Sequence, residues 1–239
     1  MCTSPEIASD TIRFTDKELH TLSKIIHNSL FKVHDGLKKL MEYFNKMVGV
    51  LCDLNLPVNW ITPYGLVLHQ KYVTFKNYDV TNYVMSKRQK ITLRKPQDPI
   101  KISRQKQIQA FIPNFVHSMD GSNIALLINE CKDKYTFNFA CIHDCFATTA
   151  NHAELLSHLV KQSFITIYGD GEFIKRFHNI ILTRIESNYT DDLREDEQGH
   201  YVVVEDAKGN PKVHRIPNVL EIVAFDLKNE LKKSEYFIN

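Results

Sequence analysis

From Leu19 onward, apolar side chains recur in steps of three and four: Leu19, Leu22, Ile26, Leu30, Val33, Leu37, Leu40, Phe44 and Met47. That period keeps them on one helical face and predicts helix from Thr15 almost to Cys52. The start signal is "FTDKEL". Thr15 is placed to accept from the amide of Glu18, Glu18 to reach back to the amide of Thr15, and Phe14 and Leu19 to staple the entry. Gly36 is the expected break or bend, giving one long helix or two abutting ones. The apolar face reads as core packing.

The period then changes. "LNLPVNWITPYGLVLHQKYV", punctuated by Pro57, Pro63 and Gly65, predicts short strands around a turn. "FIPNFVHSMDGSNIALLINECKDKY" reads as a loop entering a helix, with Asp120, Gly121 and Ser122 as turn and cap residues. "TFNFACIHDCFATT" reads as two strands joined by a tight turn at His143-Asp144. Two amphipathic helices follow, "NHAELLSHLVKQSFITIY", capped by Asn151, and "EFIKRFHNIILTRIE". Residues 191–197 read as an acidic loop. "HYVVVEDAKGNPKVHRI" is a hairpin turning at residues 207–210, "NVLEIVAFDLKNELKKS" a helix capped by Asn218 with Glu221, and "EYFIN" an aromatic tail. Helix dominates beside a small antiparallel sheet, so the expected class is α+β.

Composition adds bounds. The 239 residues are 43% hydrophobic and 24% charged, enough for one sizeable core or two small ones. Five cysteines, odd in number, read as reduced thiols. No apolar run approaches the roughly 20 residues of a membrane span, so no membrane partner is expected. The first residues, "MCTSPEIASDTIRF", lack an apolar core and carry Glu6 and Asp10, unlike a secretory signal or a mitochondrial presequence. Net charge is only +2, but residues 85–108 are locally basic. There Lys87, Arg88, Lys90, Arg94, Lys95, Lys101, Arg104 and Lys106 face one acid, Asp98. Such a run is either a solvated face or a phosphate-binding surface whose affinity falls with salt.

His143-Asp144 admits four readings. The plainest is a hydrogen-bonded turn. Cys141, His143 and Cys145 alternate and would share one face of a strand, which suggests zinc, with Cys131 or His152 as a fourth ligand. Cys145 beside a histidine suggests a nucleophile. An aspartate on a tight hairpin also suits nucleotidyl transfer, which needs rigidly held carboxylates for divalent ions. "YGDGEF" around Asp170 is a weak cation-loop pattern, better explained as a turn between helices.

"NWITPYGLVLHQKY", "RQKQIQAFIPNFVHSMDGSNIALLI" and "FACIHDCFATTANH", in this order, resemble the C-terminal part of the single-subunit, phage-type RNA polymerases. That family includes mitochondrial enzymes and those of linear mitochondrial plasmids. The resemblance implies part of a right-hand fold with a palm-type sheet. It implies that Asp144 is the second metal-binding aspartate for Mg²⁺, with His143 preceding it, and that His117 lies near the growing 3′ end. Lys106 and Gln107 match polar positions ahead of that histidine. His117, His143, Lys106 and Gln107, with Arg104, Lys101, Arg88 and Lys90, make up the expected nucleic-acid contacts. The chain would form one partial polymerase region. Residues 1–52 would be helical, 53–186 palm and fingers with the catalytic hairpin, and 187–239 an accessory hairpin, helix and tail.

The family's first catalytic aspartate and its O-helix, with Lys, Met and Tyr-Gly at fixed spacing, precede the element that resembles "NWITP". The 59 residues ahead of Trp60 match neither. The implied function is therefore DNA-dependent RNA synthesis from NTPs on a DNA template, completed by an upstream polypeptide, in a mitochondrion. The alternative is a truncated remnant that binds nucleic acid through residues 87–106. A palm hairpin without its neighbouring strands is also expected to expose an edge and an apolar face.

Overall fold

The computed structural model describes residues 14–84, 87–135, 137–205, 208–221 and 226–233. Its class is α+β, as expected. The chain divides into two compact units, Met1–Met41 and Glu42–Asn239. The "EYFIN" tail lies outside the described residues.

Helix α1 spans Asp16–Val33 and carries the anticipated capping box. The Thr15 amide donates to Glu18 Oε2 at 2.8 Å, and the Glu18 amide to Thr15 Oγ1 at 3.4 Å. Helix α2 spans Asp35–Asp53. The two abut, but the break falls at His34 (φ −118°, ψ 72°) rather than at Gly36, which is helical. The expected core face is only half realised. Tyr43, Phe44, Met47, Val48 and Leu51 of α2 are buried, whereas α1 buries none of its residues.

Within Glu42–Asn239 the core is aromatic. Strands β1 (Val58–Ile61) and β2 (Val67–Gln70) form the first predicted hairpin. Trp60 of β1, Phe44 of α2, Phe111 and Phe115 of α3 (Arg104–Lys134) and Phe177 of α5 (Phe173–Asn188) interlock. Their ring centroids lie 5.1–6.1 Å apart, mostly tilted or edge-on, geometries the ring quadrupole favours. Trp60 Nε1 donates to Ser118 Oγ at 2.9 Å, so the buried indole is satisfied.

Helix α3 corrects the sequence reading most. Its 31 residues run through Pro113 and through Asp120-Gly121-Ser122, expected to be a turn. Gln107, Phe111, Phe115, Met119 and Ser122 are buried in steps of four and three on one face, and beyond them Leu127 and Cys131, turned onto another face, are buried against Leu156, Leu159 and Val160. Burying these faces outweighs the hydrogen bond that Pro113 cannot make and the weak helix propensity of Gly121.

The strands form four separate antiparallel sheets among the described residues, not one. Strand β3 (Phe75–Val84) pairs with β4 (Lys87–Pro96), and β5 (Phe139–Ile142) with β6 (Cys145–Thr148). Strands β7 (Leu193–Asp196), β8 (Gly199–Glu205) and β9 (Pro211–Arg215) form a three-stranded sheet. The supposed acidic loop is thus largely strand β7. Asp196 pairs through both oxygens with Arg215 at 2.7 and 2.8 Å, which draws its pKa down to about 2.

Helix α4 (Ala153–Tyr168) follows a short 3₁₀ turn at Ala150–His152, so its N-cap is His152, not Asn151. Helix α6 (Leu227–Lys233) is capped by Asp226, whose Oδ1 accepts from the Asn229 amide. Asn218, the expected cap, instead donates from its side chain to Gln198 O across the three-stranded sheet's first turn. No described helix is long and apolar enough to cross a membrane.

Candidate functional site

The β5–β6 hairpin is held at its root. Phe139 and Phe146 pack against a buried cluster of Leu127, Cys131, Leu156, Leu159 and Val160, drawn from α3 and α4. Thr148 Oγ1 donates to Asn138 O at 2.8 Å, and His152 stacks on Phe137 at 5.0 Å. The register pairs Cys141 with Phe146 and Ile142 with Cys145. Cross-strand partners share a face, so Phe139, Cys141, Phe146 and Thr148 form one face and Ala140, Ile142, Cys145 and Ala147 the other. The second face is open: all four residues are exposed, Ile142 at 76%. This matches the exposed apolar surface expected of a lone palm hairpin.

The two-residue loop is His143-Asp144. His143 takes φ 54°, the left-handed conformation that a two-residue hairpin loop requires at its first position. Asp144 then stands at the tip, exposed. The Cys145 thiol makes a weak contact with Asp144 Oδ1 at 3.9 Å. Among the described residues no cation pairs with the Asp144 carboxylate. The same geometry corrects the zinc reading. Cys141 and Cys145 lie on opposite faces because the turn intervenes. Cys131 is buried in the core cluster, and no described group of three His, Cys, Asp or Glu side chains can hold a metal ion. Among the described residues no histidine is hydrogen-bonded to Cys145 either, so the nucleophile reading lacks its base.

Asp170 resolves as the turn between α4 and α5. Its carboxylate accepts from Arg176 at 2.8 Å and from the Glu172 amide at 2.9 Å, and the Arg176 bond leads the lowering of its pKa.

The basic run splits into three places. Arg88 and Lys90 lie near the tip of the β3–β4 hairpin, whose strands extend roughly 30 Å at about 3.4 Å per residue. Arg88, Lys90 and Arg94 share one face with Phe75 and Tyr83, and Arg94 lies 4.8 Å over the Phe75 ring. Lys90 also pairs with Asp79 at 2.7 Å. The opposite face carries Tyr78, Val80, Ile91 and Leu93, all exposed. Lys101 sits at the hairpin's root, where its carbonyl accepts from the Thr74 amide. Lys106 is exposed on the first turn of α3, and His117 is exposed three turns further along it.

Two expected contacts change character. Gln107 is fully buried. Its Nε2 donates to Gln70 O at 2.6 Å and its Oε1 accepts from the Tyr72 amide at 2.9 Å, so it ties α3 to β2 instead of facing a ligand. Arg104 donates from Nη1 to Gly49 O at 2.7 Å and to Asp53, which fastens α3 to the end of α2.

The structure also shows a cleft that no motif announced. It is open, about 620 Å³, and lined by Trp60, Phe115, Met119, Phe173 and Phe177 with Arg176 and Asp170 at its polar part. Its residues come from β1, α3, α4 and α5 and the turns beside them, spread along the chain from Trp60 to Ile180. "NWITPYG" supplies Trp60 to Gly65 and "YGDGEF" supplies Asp170, but nothing in the sequence set the two stretches together.

Comparison with known proteins agrees with the motif resemblance. A family model for DNA-dependent RNA polymerase matches residues 7–239. Over its whole length the chain is 54% identical to a "Probable DNA-directed RNA polymerase" of Neurospora crassa, of which it covers 27%. A protein of the same description from Agaricus bitorquis is 34% identical over 77% of the chain, which covers 16% of it. "DNA-directed RNA polymerase 1, mitochondrial" of Nicotiana sylvestris is 27% identical over 61% of the chain, which covers 14% of it. The chain thus spans about a quarter or less of the length of these relatives. With the family match running across nearly all of it and a motif trio of the phage type, the chain belongs to the single-subunit, phage-type DNA-dependent RNA polymerases.

Proposed function

We propose that this chain is the C-terminal part of the catalytic domain of a DNA-directed RNA polymerase, which extends an RNA 3′ end from NTPs on a DNA template. The observation that carries the reading is the Asp144 carboxylate, exposed and without a cationic partner among the described residues, at the tip of a hairpin whose root is packed. The paired strands hold the turn that carries it.

A single exposed carboxylate fits one ligand of a hard, oxygen-preferring cation such as Mg²⁺. A catalytic pair of such ions needs more ligands than the described residues offer. The remainder then comes from polymerase sequence beyond these 239 residues. When bound, Mg²⁺ supplies activation of the 3′-hydroxyl and neutralisation of phosphate charge. In this reading Asp144 holds the ion and His143 sets the turn. His117, Lys106 and Lys101 contact nucleic acid from α3 and the hairpin root, and Arg88 and Lys90 from the β3–β4 hairpin. Arg104 and Gln107 serve those elements as supports. Residues 1–52, 53–186 and 187–239 act as helical entry, palm and fingers, and accessory region. The proposed compartment is the mitochondrion, checked by fractionation against organellar markers.

The test is reconstitution. The chain is mixed with a polypeptide covering the rest of the Neurospora crassa relative, and labelled NTP incorporation is followed on a primed template. Asp144→Asn is expected to lower the rate at least about a hundredfold, since loss of a metal ligand removes several kcal/mol of transition-state stabilisation. Undiminished activity would overturn the assignment. If no incorporation appears but salt-dependent binding persists, the remnant reading holds, for which the basic and aromatic face of β3–β4 speaks.

A further inference from the structure

Helix α1 is a capped, 18-residue helix that buries nothing. Leu19, Leu22, Ile26, Leu30 and Val33 are each 41–74% exposed. Their steps of three and four set them in one stripe along the helix, bordered on one side by His20 and His27. An isolated helix of this length is marginal in water, so a stripe this regular implies a cover. Two facts bear on what covers it. The helix is about 27 Å long and about 10 Å wide. One such strip hides far less than the roughly 1,200 Å² of a stable interface, so its cover must belong to a body that also contacts other surfaces. And the relative that is 54% identical across this whole chain has nearly three quarters of its own length outside the match.

We infer that the α1 stripe is the docking surface for the remainder of the polymerase, which lays an aliphatic helix face along it. This rests on the function proposed above and names the surface through which that function is completed. The steps of 3, 4, 4 and 3 between stripe residues match a partner helix crossing at a shallow angle. The occupant therefore presents Leu, Ile or Val at the same spacing, with polar side chains opposite the histidine row.

The experiment uses the full chain and a polypeptide covering the unmatched part of the Neurospora crassa relative. Binding is followed by titration and co-elution. Leu22→Gln, Ile26→Gln and Leu30→Gln together keep helix propensity and remove the apolar stripe, with circular dichroism confirming unchanged helix content. Thr21→Gln with Asn28→Gln alters the opposite face. The stripe variant is expected to bind at least about a hundredfold more weakly, given three apolar side chains withdrawn from an interface, and the opposite-face variant to bind as the parent does. Equal binding by the stripe variant, or no binding by the parent, overturns the inference. So does a parent dimer that the stripe variant splits, or capture of the parent by phosphatidylcholine–phosphatidylglycerol vesicles. Asp144→Asn separates the two proposals, because it is expected to bind normally and fail in incorporation. If it is active, the catalytic reading falls while the docking result stands.

Discussion

Replacing Gln107 with leucine separates two roles that the same residue can be given. The change keeps the side chain's bulk and its helix propensity, so it isolates the hydrogen bonds. Gln107 is fully buried, and its partners are main-chain groups of β2 and the residues after it, Gln70 O and Tyr72 N–H. Leucine removes the Gln107 bond from each. A buried polar group left without such a bond costs about 1–3 kcal/mol. At roughly 2–4 °C per kcal/mol for a chain of this size, the melting midpoint should fall by about 2–12 °C. Urea and thermal unfolding, followed by circular dichroism, measure this. Nucleic-acid affinity, measured by filter binding well below the midpoint, should not change. Lys106→Ala, one residue earlier and exposed, should do the reverse. Stability should hold while the slope of log affinity against log salt drops by up to about one unit, the effect of one lost phosphate contact. A Gln107→Leu protein within about 1 kcal/mol of the parent would refute the bonding argument, and so would one that loses affinity while keeping its stability.

Gly199 opens β8 at φ 108°, a conformation reserved for glycine, and a Cβ there would strike the Asn218 side chain. Gly199→Ala is therefore expected to destabilise the three-stranded sheet by about 1–3 kcal/mol, read as faster amide exchange in β7–β9. His178 is buried against the Tyr43 hydroxyl at 3.0 Å, and burial, aided by His200, holds its imidazole below the ordinary histidine range. As pH falls through that range, the unfolded chain takes up a proton that the folded ring refuses, so stability should decline with acidification. Urea midpoints at successive pH values test this, and a flat profile would contradict it. Thr15→Ala removes the capping box and should cost α1 about 1 kcal/mol, seen as reduced protection of its first-turn amides.

The sequence determined those features whose causes lie within a few residues of one another. The Thr15–Glu18 box, the β1–β2 hairpin and the His143-Asp144 turn are each closed by bonds across at most a short loop, so their patterns could be read directly. The trio of motifs that places the chain in its family was likewise local. Tertiary structure decided burial and direction. Pro113 and Gly121 sit inside α3 because Phe44, Trp60 and Phe177, far off in the chain, reward a continuous face. Gln107 turned inward because its partners stand 35 and 37 positions away. Cys141 and Cys145 parted because a turn, and not a straight strand, lies between them. The α1 stripe has the same period as the buried half of α2 yet stays in water. A hydrophobic period states that a face seeks cover; only the surrounding chain supplies it, and for α1 none of the described residues does so.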